Sequence, residues 1–175
     1  MFDHWDEFFL LAGSAAAVLI GLIFVVISLM HDRPRSSVLA GSRLYMGPVV
    51  LMVSFVLVLS AAALTPGISS GRFAAITAVV ALWGLARGIM STVGLQALVR
   101  SEREVHWTDI WFYGLVPSAL YVALAAVATA FWRDWPWAQD GVAAAITAAL
   151  LLAIRNEWDL ITWIAPRRDD DSADS

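Results

Sequence analysis

The sequence predicts an all-α fold, a polytopic membrane protein built as a bundle of five transmembrane helices. Three observations carry that expectation. Hydrophobic residues make up 60% of the 175-residue chain and its mean hydropathy is +0.73, where a soluble domain is about 45–50% apolar. They are gathered into runs of roughly 20 residues, the length at which a helix crosses a hydrocarbon core of about 30 Å. The arginines fall in alternate connections, as they do in chains that cross a membrane repeatedly.

The first span is expected at 8–30, a run without charge. The preceding MFDHWDE is acidic where a secretory signal is positive, and the run is too long for a signal core, so it reads as a retained span. The second is expected at 47–65 and stops at Pro66-Gly67. Its helix is expected to begin nearer Ser36–Ser37, with Pro48 as a kink or a first-turn residue. The third, 73–99, contains Arg87, and the fourth covers 110–131. The fifth is expected at 137–164. Its cleanest apolar stretch, Gly141–Ile154, spans only about 21 Å, and a start at Trp137 lengthens that to about 27 Å. An alternative has four spans plus an interfacial amphipathic helix. Residues 1–166 then form a single transmembrane domain, and 167–175 are expected to be a disordered acidic cytoplasmic tail.

Arginine counting orients the bundle. With the N-terminus outside, Arg33, Arg35, Arg43, Arg100, Arg103, Arg155, Arg167 and Arg168 are cytoplasmic, and only Arg72 and Arg133 lie in outer connections. The reverse orientation would translocate the larger set, which the positive-inside rule disfavours. Tryptophan agrees. Trp5, Trp132, Trp135 and Trp137 fall at outer ends, and Trp107, Trp111, Trp158 and Trp163 at inner ends, at the headgroup depth indole prefers. Only Trp83 lies within a span. The expected partner is the lipid bilayer, with a second copy or another membrane protein as further candidates.

Composition excludes much chemistry. The chain has no cysteine, which removes disulfides, thiol catalysis and thiolate metal sites. The net charge of −4 comes largely from the C-terminal DDDSADS, so no nucleic-acid partner is implied. HExxH and glycine-rich phosphate loops are missing, and Ser14 has no histidine within a span to serve as its base. His31 with Asp32, and His106 with Glu102, fall short of the roughly three or four ligands a metal needs. No cofactor, metal or catalytic residue is therefore expected, and the chain does not read as an enzyme.

In lipid, helices associate through close packing and interhelical hydrogen bonds, so small residues spaced by four matter. Gly13, Ala17 and Gly21 form such a stripe in the first span, and Gly84 and Gly88 flank Arg87 in the third. The polar candidates are Arg87, Arg155, Asn156, Glu157 and Asp159. Arg87 lies 14 residues beyond Phe73, and Arg155 and Glu157 lie 14 and 16 beyond Gly141, so equal rise per residue sets them at similar depth. Arg155 and Asp159 stand one turn apart and can pair, whereas Glu157 points elsewhere. An arginine at a helix centre costs about 2.5–3.5 kcal/mol on insertion scales. Three readings of Arg87 follow: it snorkels to headgroups, pairs with Glu157 or Asp159, or lines a polar cavity.

WDEFFLLAGSAAAVLIGLIFVVISL at one end and IRNEWDLITW at the other resemble the two ends of an uncharacterised family of small bacterial multi-span inner-membrane proteins. Gly13, Gly21, Arg155, Asn156 and Trp158 carry the likeness. Members tend to have a small residue where this chain has Glu157. The resemblance implies a bacterial cytoplasmic membrane and brings no activity with it. The expected function is a non-enzymatic accessory, scaffold or self-associating membrane protein. The alternative is a channel or transporter subunit for an ion or small solute, with Arg87 at its polar constriction.

Overall fold

The computed structural model describes residues 1–2, 4–29, 47–100 and 111–164. Within them the fold is all-α. The helices are α1 (Asp6–Leu29), α2 (Gly47–Ala63), α3 (Ser70–Arg100), α4 (Val116–Trp132) and α5 (Ala138–Ile164), and a π-helical turn, Trp111–Leu115, leads into α4. α1, α3 and α5 are long and apolar enough to cross a membrane, and α2 and α4 are shorter apolar helices of 17 residues each. Three such helices are consistent with a membrane protein. The expected helix start near Ser36–Ser37, the metal candidates His31, Asp32, Glu102 and His106, and the acidic tail lie outside the described residues. Pro48 stands in the first turn of α2, where its missing N–H costs no helical hydrogen bond.

α2 packs on α1, α3 and α5, and α4 packs on α3 and α5. α1 also meets α5, which closes the ring. Each buried face follows the helical period, as in Val49, Met52, Val53, Val56, Leu59, Ser60 and Ala63 along α2. The interior of α5 is dominated by small side chains, with Ala138, Ala145, Ala149 and Ala153 all buried. Large apolar side chains point outward instead: Leu11 is 71% exposed, Phe24 67%, Val79 66% and Leu151 65%. A water-soluble bundle turns polar side chains outward, so an apolar outer face of this extent marks a surface made for something other than water.

One end of the bundle is plugged by aromatic rings. Phe2 packs edge-on against Phe9 and Phe73, each at 4.8 Å between ring centroids, and Phe73 meets Phe131 at 4.9 Å. All four rings are buried. They join the N-terminal segment to α1, α3 and α4, in the edge-to-face geometry that ring quadrupoles favour. The connections at this end are tight. Gly67 takes φ of 69° between α2 and α3, a left-handed conformation that glycine adopts without steric cost. Ser70 Oγ donates to the carbonyl of Phe131 at 2.6 Å, tying the start of α3 to the end of α4.

Candidate functional site

The opposite, polar end is organised by two successive residues of α5. Arg155 Nη1 lies 3.1 Å from Asp159 Oδ2, one turn further on. The same nitrogen donates to Asn156 Oδ1 at 3.3 Å. The guanidinium carbon sits 3.2 Å from the centre of the Phe112 ring, a cation–π contact from an arginine that stays partly exposed. Asn156 is fully buried, and its Nδ2 donates to the carbonyl of Phe112 at 3.3 Å.

Phe112 belongs to the π-helical turn, and the sequence explains why its carbonyl needs an outside donor. In π register a carbonyl accepts from the N–H five residues on. For Phe112 that residue is Pro117, which has no N–H. Asn156 supplies a donor from the neighbouring helix, so this half-buried carbonyl is satisfied. Arg155 and Asn156 thus clasp α5 to the irregular start of α4.

Glu157 is 8% exposed on the inward side of α5, one turn beyond the fully buried Ala153. Its Oε1 has no hydrogen-bond partner, and among the described residues no arginine pairs with it. Ser60 Oγ, on α2, is likewise buried and unpartnered. Arg87 stands apart from the group. It is exposed, on the outward side of α3 with Val79, Trp83 and Met90.

The reason is a register that counting along each helix does not reveal. A Cβ on Gly84 would strike the Tyr121 ring, one on Gly88 would lie 2.6 Å from Ser118 Oγ, and one on Gly114 would lie 2.5 Å from Thr92 Oγ1. On the other flank of α4, Gly141 meets Val127 and Asn156 reaches Phe112. Traced through α4, Arg87 is level with Ala149 and Leu150. Glu157 lies about seven residues, roughly 10 Å, further toward the polar end. The similar depth expected from the distances to Phe73 and Gly141 is corrected accordingly, because those two residues do not share a starting plane.

The packing candidates divide. Gly84 and Gly88 form a close seam with Tyr121 and Ser118, and Thr92 with Gly114 continues it by another turn. A Cβ on Gly13 would lie 3.2 Å from that of Ser60. Ala17 and Gly21 face outward, and nothing lies within 4 Å of a Cβ at Gly21. Among the described side chains of α1, Phe9, Ala12, Ala16 and Ile23 are buried. Sequence reasoning missed Phe112, Ser118, Tyr121, Thr92 and Gly114; Pro117, near the start of the fourth apolar run, was the available signal for an irregular turn.

Among the described residues no group of three histidine, aspartate or glutamate side chains converges as a metal site. No protein-family model, curated protein or solved structure matches the chain, so the functional reading rests on its own residues.

Proposed function

We propose that this chain is an integral protein of a bacterial inner membrane that crosses the bilayer five times, with its N-terminus outside and C-terminus in the cytoplasm. Its role in this reading is that of a non-enzymatic accessory or scaffold that associates with itself or with another membrane protein. The observation that carries the reading is an interior that is apolar through the middle of the bundle among the described residues, with Arg87 kept outside it. A cavity of about 20 Å³ lies among the described residues between α2, α3, α4 and α5, and Tyr121 contributes the only hydroxyl to its lining. A conduction path would need polar groups along such an interior, and Arg87 is not positioned to form its constriction. The arginine distribution supports the sidedness.

Reconstitution into liposomes tests it. Flux of small ions no greater than in protein-free vesicles, together with recovery of a defined self-associated or partner-bound species, is expected. Ion flux that disappears in Arg87→Leu would overturn the scaffold reading in favour of a channel subunit.

A further inference from the structure

We propose that the outward face of α3 binds an acidic phospholipid, its phosphate on Arg87 and its acyl chains along the flanking apolar side chains. The inference rests on the membrane reading above. Arg87 shares its side of the helix with Trp83, 61% exposed, and Met90, 63% exposed, and Val79 and Leu82 stand further along at 66% each. This surface is shaped for acyl chains and interrupted by one cation. Neither carboxylate of the α5 segment serves that cation. Asp159 is held by Arg155, and Glu157 is buried about two turns away along the axis.

Among the described residues Arg87 forms no ion pair, and its exposed guanidinium is open to a counter-charge from the surroundings. A guanidinium fork matches phosphate oxygens two at a time. Arg87 lies 17 residues beyond Ser70, the first residue of α3, about 26 Å along the axis and so toward the far side of a hydrocarbon core of about 30 Å. An arginine that extends toward that side approaches the headgroups of the same leaflet. A second copy fits less well. A two-fold contact between α3 faces is self-complementary only if each residue suits its counterpart, and with parallel helices it would set Arg87 beside Arg87.

Native mass spectrometry of protein released from nanodiscs tests the site, with phosphatidylglycerol titrated into phosphatidylcholine. The wild type is expected to retain phosphatidylglycerol about fivefold over phosphatidylcholine, the preference one arginine near the membrane surface provides. Arg87→Gln should abolish that preference, and Arg133→Gln, at the aromatic end, should leave it intact. A wild type without preference, or an Arg87→Gln protein that keeps it, overturns the proposal. So does an Arg87→Gln protein whose preference is unchanged while its oligomeric state shifts, which would make a second copy the partner. A readout that leaves Arg87 in place guards against misfolding. A fluorophore on Met90→Cys should be quenched more by headgroup-spin-labelled phosphatidylglycerol than by the matching phosphatidylcholine, and equal quenching contradicts the site. Failure to enter nanodiscs would count against the membrane reading and the site together, whereas entry without preference would count against the site alone.

Discussion

α1 and α3 carry the same pattern of small residues at spacing four, yet the bundle uses the two differently. Along α3, Gly84 and Gly88 admit Tyr121 and Ser118 of α4 so closely that neither position has room for a methyl group. Along α1, only Gly13 approaches a neighbour, Ser60 of α2, and Ala17 and Gly21 face outward. Spacing tells where a backbone could come close. The facing helix decides whether it does, and α4 offers α3 a bulky ring and a small hydroxyl at matching heights.

The contrast ranks four substitutions. Gly84→Ala should be the most damaging, by about 1–3 kcal/mol as overpacking strain, read as a lowered unfolding midpoint in detergent. Tyr121→Ala should relieve most of that penalty in the double variant, as coupled neighbours do. Gly88→Ala comes next at about 1 kcal/mol, because Ser118 Oγ can rotate away, and Ser118→Ala in the same chain should restore stability. Gly13→Ala requires Ser60 to yield slightly and should cost about 0.5 kcal/mol. Gly21→Ala meets nothing and should stay within about 0.5 kcal/mol of wild type. A Gly21→Ala protein as destabilised as Gly84→Ala would break the comparison, because it would reveal a partner on the outer side of α1.

The same contrast explains how far the sequence could be read. Five helices and their approximate limits follow from apolar runs and their breakers, since the length and period of such runs are local properties. The proximity of Arg155 and Asp159 is also local, being one turn of one helix. Gly84 and Gly88 were legible as a seam, but Tyr121 was not legible as its partner, because pairing depends on how two helices slide past each other. For the same reason Arg87 and Glu157 looked level. Their relative depth is fixed through α4, by Gly88 on Ser118 and Phe112 on Asn156, contacts without a signature along either helix. Phe2 is a similar case: nothing in MFDHWDE announces that its second residue will be buried among Phe9, Phe73 and Phe131.

The proposal that all five helices cross the bilayer is tested directly by one measurement. The chain has no native cysteine, so single cysteines at His4, Gly67 and Asp134, and at Ser37, Ser101 and Ser172, which arginine counting assigns to the cytoplasmic side, can be labelled with a membrane-impermeant maleimide. The first three are expected to react in intact cells whose outer envelope has been made permeable to the reagent, and the second three only after the inner membrane is opened. Labelling of Ser172 together with His4 from the outer side would show an even number of crossings and contradict the five-span bundle.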